Sequence, residues 1–184
     1  MPATAAPATP TKPTRRVSTF RLLVTTIICL FLAIMWALLI RGKLRAMEVS
    51  SGSMIPTLEV KDTLLVWYGP PSEIERGDIV VISSPDDEGA DLVKRVVAIP
   101  GDTVAKSNGQ VMVNGEPSNP PGTIAVTTLG PDYSYYLGED EFFVLGDNRK
   151  ASHDSQQYGP IRREQILGSP LYRYAPRTRM GSVK

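Results

Sequence analysis

The sequence predicts a mainly β, barrel-like antiparallel body behind one N-terminal helix long enough to cross a membrane. Three observations carry this expectation. Leu22 to Ile40 is an uncharged run of 19 residues, several later runs are rich in β-branched and aromatic residues, and Gly, Pro, Asn and Asp punctuate the intervals between those runs. With 184 residues there is room for one modest domain and its appendages.

Residues 1–21 read as a disordered tail, since the first fourteen are almost entirely Ala, Pro and Thr and cannot bury enough apolar surface to fold. At 1.5 Å per residue, a helix over 22–40 spans roughly the 30 Å hydrocarbon layer. A cleavable secretory signal would have a shorter apolar core ending in small residues. Here Arg41-Gly42-Lys43-Leu44-Arg45 closes the run, which favours a retained transmembrane helix. The net charge of +1 conceals an asymmetry: residues 1–45 hold seven basic side chains and no acid, so the remainder carries −6. This puts positive charge where anionic membrane lipid attracts it and argues against nucleic acid as a partner of the body. Four basic residues precede the apolar run and three follow it, so charge alone leaves the orientation open.

The body is expected over 46–176. Thr63–Tyr68, Ile79–Ile82, Leu92–Ile99 and Phe142–Leu145 read as strands, and Asn108-Gly109 and Asn114-Gly115 bracket Gln110–Val113 as a small hairpin or meander. Trp67 and Tyr68 suit either a headgroup belt or the core. Residues 105–140 form a hairpin and loop excursion, whose part from Pro117 onward is expected to be irregular and outside the main sheet. Ser83 to Gly89 reads as an acidic solvated loop and 177–184 as a frayed terminus. Cys29 and His153 are the only cysteine and histidine. No disulfide framework or Cys/His metal cluster can be built from them, and neither a metal nor a cofactor is expected.

The stretch Val49-Ser50-Ser51-Gly52-Ser53-Met54-Ile55-Pro56-Thr57-Leu58 suits a tight turn that presents a hydroxyl beside apolar residues. A serine there is a nucleophile only if a base takes its proton. Lys94 is one candidate: strand alternation puts it on a face with Leu92 and Val96, and Arg95 on the other with Val93 and Val97. Facing inward, it would lose hydration and its pKa would fall from about 10.4, leaving an amine able to accept a proton. At an edge it would only keep the strand soluble. The polar loop Gly146–Ser155 hangs from an apolar strand, a usual position for functional groups. Within it Asp147 and Arg149 can pair or brace backbone, and Ser152 and Asp154 lie two apart. His153 offers a rival base, oriented by Asp147 or Asp102 in a Ser-His-Asp arrangement with Ser53.

Ser51-Gly52-Ser53-Met54-Ile55-Pro56-Thr57-Leu58, then Lys94-Arg95 followed by Pro100-Gly101-Asp102, then Gly146-Asp147-Asn148-Arg149 with Ser152 and Asp154-Ser155, closely resemble the bacterial type I signal peptidases. The resemblance runs over residues 22–170. It implies a serine endopeptidase of the cytoplasmic membrane that removes signal peptides from exported preproteins with a Ser/Lys dyad, its tail cytoplasmic and its body outside. By that resemblance Ser53 is the nucleophile and Lys94 the general base. The Ser51 hydroxyl and Ser53 backbone N–H form the oxyanion hole. Ser152 orients the lysine, and Asp154, Asp147 and Arg149 brace the site. Val49, Met54, Leu58, Leu92 and Val93 would line an apolar cleft that accepts small residues before the cut. Two positions depart from the family's habit: Gln156 stands where arginine is common after the Asp-Ser pair, and Lys150 where an acidic or polar residue is common. The interval from Asp102 to Glu141 is too short for a large second β-domain. Rival readings are a Ser/Lys maturation peptidase of narrow range and a silent tethered module that binds extended peptides.

Overall fold

A long uninterrupted helix opens the described chain because no Gly or Pro falls between Ser18 and Arg41. The computed structural model describes residues 19–69, 71–87, 89–118, 123 and 131–183. The tail over 1–18 and most of the Pro-rich stretch 119–130 lie outside the described residues. Helix α1 is Thr19–Arg41, so Thr19, Phe20 and Arg21, read as tail, are helical. Thr26 satisfies its hydroxyl by donating to the Leu22 carbonyl at 2.9 Å. Large apolar side chains from Phe20 to Trp36 are exposed around the helix, the pattern of a segment meant for an apolar medium. The chain divides into two units at Leu39/Ile40.

The second unit is built from twelve strands among the described residues: β1 Leu44–Glu48, β2 Thr63–Tyr68, β3 Ile79–Ser83, β4 Asp91–Ala98, β5 Thr103–Ser107, β6 Gln110–Val113, β7 Glu116–Pro117, β8 Tyr133–Tyr136, β9 Glu141–Leu145, β10 Ile161–Arg162, β11 Ile166–Ala175 and β12 Gly181–Ser182. Helix α2, Ser155–Tyr158, is a single turn between β9 and β10. The main sheet is antiparallel and runs β1-β2-β11-β3-β4-β9-β10, with β12 added to β11. It curls without closing, a half-barrel whose ends are β1 and β10. A second sheet, β7-β6-β5-β8, lies apart from it.

Both faces of the central strands are buried, which explains why β3 and β4 read as nearly continuous apolar runs. Val81 and Val93 join Val49, Met54, Leu58, Leu64 and Val66 in one core cluster, while Val80, Ile82 and Val96 join Phe142, Val144 and Ile161 in another. A third cluster, Val97, Val104, Val111, Val113, Leu137, Phe143 and Leu145, links β4 and β9 to the small sheet. Fully burying each such Leu or Phe contributes about 1.5–3 kcal/mol.

Two expectations are corrected here. The excursion contributes the meander β5-β6-β7, and the stretch after Pro117 expected to be irregular includes a further strand, β8, whose Tyr133 and Tyr135 rings pack at a tilt on Phe143 with centres 5.8 and 5.9 Å away. The terminus read as frayed is tied down: Arg177–Arg179 forms a 3₁₀ turn, and β12 pairs Tyr172 with Ser182 and Arg173 with Gly181. Its anchors are ion pairs to residues more than a hundred positions earlier, invisible to local patterning. Trp67 lies beneath the Lys43 ammonium, 5.8 Å from its ring centre, and the Tyr68 hydroxyl donates to Asp91 at 2.6 Å.

Candidate active site

Ser53 sits in a 3₁₀ turn, Gly52–Met54, entered from extended Ser51. Met54 and Leu58 pin the turn into the core at 1% and 0% exposure. The Leu58 N–H donates to the Met54 carbonyl at 2.9 Å. The loop after β9 is stitched to it: Asn148 donates its backbone N–H to the Ser53 carbonyl at 2.9 Å and its side-chain amide to the Gly52 carbonyl at 3.2 Å. The Ser51 and Ser53 hydroxyl oxygens are 3.2 Å apart.

Lys94 is only 3% exposed, because β4 is covered on both faces. Its Nζ donates to the Ser152 Oγ at 3.1 Å. Loss of hydration pushes its pKa down, and the nearby Asp154 carboxylate partly opposes that. Gly146 makes the convergence possible. A Cβ there would lie 2.3 Å from the Ser152 Oγ and 2.5 Å from the Ser53 carbonyl oxygen, so only glycine lets Ser152 and the serine turn close on the same point.

Asp147 and Arg95 form a bidentate buried pair, Nε to Oδ1 at 2.8 Å and Nη2 to Oδ2 at 2.7 Å. The Thr57 hydroxyl donates to the same carboxylate at 2.5 Å, and Arg95 also donates to the Gly77 carbonyl at 2.7 Å. This staple joins β4, the loop after β9 and the serine turn. Asp154 caps α2: its carboxylate accepts from the Gly146 N–H at 2.9 Å and the Gln156 N–H at 3.1 Å. Gln156 therefore supports Asp154 through its backbone rather than through a side-chain charge. Arg149 is buried and donates to the Ser118 carbonyl at 3.0 Å. Burial weakens its hold on its proton, and the Asp154 and Asp147 carboxylates oppose that only in part.

The Ser-His-Asp arrangement is not assembled. His153 is at the surface, 60% exposed and 2.5 Å from Asp86, while Asp102 binds Arg76 and the Ile99 N–H. Of the cleft residues, Val49, Met54, Leu92 and Val93 line one small cavity beside Ser51 and Ser53, and Leu58 lies behind it in the core. Met47, Ser50 and Asp91 also line that cavity, although the sequence pointed to none of them as cleft residues. Met47 and Asp91 could have been found by extending the flanking strands one or two residues. The role of Thr57 had no local signal, because its partner is ninety residues away.

A serine turn on a half-barrel, with a buried amine on β4, fits the class of serine hydrolases. The family model described as signal peptidase, peptidase S26, matches residues 20–175. The chain belongs to that family and is a serine endopeptidase. It is 36% identical over 154 residues to signal peptidase I of Leptolyngbya laminosa, covering 75% of this chain and 72% of the relative. It is 34% identical over 172 residues to probable signal peptidase I-1 of Synechocystis sp., covering 84% and 83%. Signal peptidase I S of Bacillus subtilis is 33% identical over 162 residues, covering 79% and 85%.

Proposed function

We propose that the chain is a membrane-tethered peptidase that removes N-terminal signal peptides from exported preproteins, with Ser53 as nucleophile and Lys94 as general base. The observation that carries this reading is the Lys94 amine, 3% exposed and held by Ser152, which packs with the Ser53 backbone against Gly146. With its pKa lowered by burial, the amine in its neutral form takes the proton of the Ser53 hydroxyl as Oγ attacks the scissile carbonyl carbon. The Ser53 N–H and the Ser51 hydroxyl receive the developing oxyanion, each such donor being worth about 3–4 kcal/mol. The lysine then returns the proton to the departing amine, and water attacks the acyl-enzyme by the same route.

The extended substrate fits an open strand edge. β9 pairs with β4 only from Arg95 onward, so among the described residues Asp91–Lys94 presents a second edge beside the cleft. Backbone pairing there gives affinity, and Val49, Met54, Leu92 and Val93 leave room only for small side chains. Helix α1 supplies the tether, with the N-terminus cytoplasmic, the body on the outer side of the cytoplasmic membrane, and lipid as its surroundings.

The test is cleavage of a preprotein with an alanine-rich cut site by the full chain in lipid vesicles. Ser53→Ala and Lys94→Ala abolish cutting while His153→Ala leaves it unchanged. An active Lys94→Ala protein would refute the dyad.

A further inference from the structure

Residues 177–183, unremarkable in sequence, reach back to the serine turn. Residues 49–62 form a loop closed at its neck by two backbone bonds, Val49 N–H to the Asp62 carbonyl and Lys61 N–H to the Val49 carbonyl, both 2.8 Å. Inside the loop the Asp62 carboxylate, 1% exposed, accepts from the Glu59 N–H at 2.9 Å. Two guanidinium groups from the far end of the chain meet it. Arg173 in β11 donates to Asp62 at 3.2 Å and to the Thr57 carbonyl at 2.8 Å. Arg179 donates through Nε and Nη2 to the two Asp62 oxygens, each at 3.2 Å. Its Nη2 also reaches the Pro56 and Thr57 carbonyls at 3.5 and 3.4 Å, and its Nη1 binds Glu59. Arg173 Nε in turn binds the Arg179 carbonyl, and β12 holds the segment on β11.

Thr57 is thus gripped at both ends. Its hydroxyl is fixed by Asp147 and Arg95 from the site side, and its carbonyl by Arg173 and Arg179 from the other. It stands four residues after Ser53, and the Leu58 N–H to Met54 carbonyl bond passes its position on to the turn. Burial opposes the charge on Asp62, but the Glu59 N–H and the two arginines prevail and hold its pKa below the usual value.

We propose that the C-terminal segment is a strap that fixes the nucleophile's loop in register with the amine, and that Arg179 is its positioning residue. Resting on Ser53 as nucleophile, the strap acts on the rate of the chemical step and not on substrate capture. Of the cleft residues, Leu92 and Val93 belong to β4 and not to the strapped loop, while Val49 and Met54 of that loop are held separately, by the neck bonds and by burial in the core cluster. Displacement of a nucleophile by about 1 Å costs up to a hundredfold in rate.

The test is steady-state cleavage of the model preprotein by full-length Arg179→Ala, Arg179→Lys and a chain ending at Pro176, at a temperature well below each unfolding midpoint. The expected result is a roughly tenfold or larger drop in kcat for Arg179→Ala and the shortened chain, with KM within twofold of the parent and partial recovery in Arg179→Lys. The acid limb of the pH profile stays where the parent has it, since the amine's surroundings are unchanged. Unchanged kcat in Arg179→Ala, or a lowered midpoint with normal kcat, overturns the strap. Ser53→Ala run in parallel separates the two readings: an active Ser53→Ala protein refutes the nucleophile and the strap with it, whereas an inactive Ser53→Ala protein beside an unchanged Arg179→Ala overturns the strap alone.

Discussion

Lys94 is placed where an ammonium is costly. Its folded pKa is lowered, so between that value and its ordinary 10.5 the unfolded chain binds more protons than the folded one. Stability contributed by this group therefore rises with pH across that window, and below it the full burial penalty remains. Lys94→Met removes the penalty. It should raise the unfolding free energy at neutral pH by about 1 kcal/mol in denaturant titration while abolishing cleavage. In the parent, kcat/KM should climb with pH along a limb lying below the ordinary lysine value. The limb for kcat should fall at still lower pH, because bound substrate excludes more water. At Gly146 steric arithmetic decides. Gly146→Ala must displace either the Ser152 Oγ or the Ser53 carbonyl, and cleavage should fall at least about a hundredfold, with the circular dichroism spectrum unchanged.

Among the elements, β4 does most to build the site, because Lys94 and Arg95 leave it in opposite directions and both find partners in the loop after β9. The Arg95–Asp147 pair is buried on both sides, at 5% and 1% side-chain exposure. Removing one partner strands the other charge, so Asp147→Ala should cost about 3–5 kcal/mol in denaturant unfolding, far more than a surface pair. The strands β2, β3, β4 and β9 were legible because their residue types are strongly β-forming. Strand β11 was not, since Gly168, Ser169 and Pro170 interrupt its β-forming residues. In the fold Gly168 lets the Trp67 carbonyl come within 2.0 Å of where a Cβ would stand, and the pairing shifts register just after Pro170. A strand sandwiched between β2 and β3 tolerates these residues because its neighbours, not its own propensity, hold it.

For the molecule as a whole, the division at Leu39/Ile40 has a consequence. Among the described residues, the clusters of the β body draw on none before Met47. A chain beginning at Gly42 should therefore keep the body's cooperative unfolding and lose co-sedimentation with phospholipid vesicles, measured against the full chain by calorimetry and centrifugation.

By itself the sequence determined the apolar helix, four strands of the main sheet, the serine turn and the polar loop after β9, because each is written in neighbouring residues and in a period of two or an unbroken apolar run. Tertiary structure alone decided which base candidate is buried, that His153 faces solvent beside Asp86, and that Arg179 clasps Asp62 across 117 residues. Alternation along a strand names two faces but cannot say that both are covered, and an ion pair between distant segments leaves no mark on the residues beside either partner.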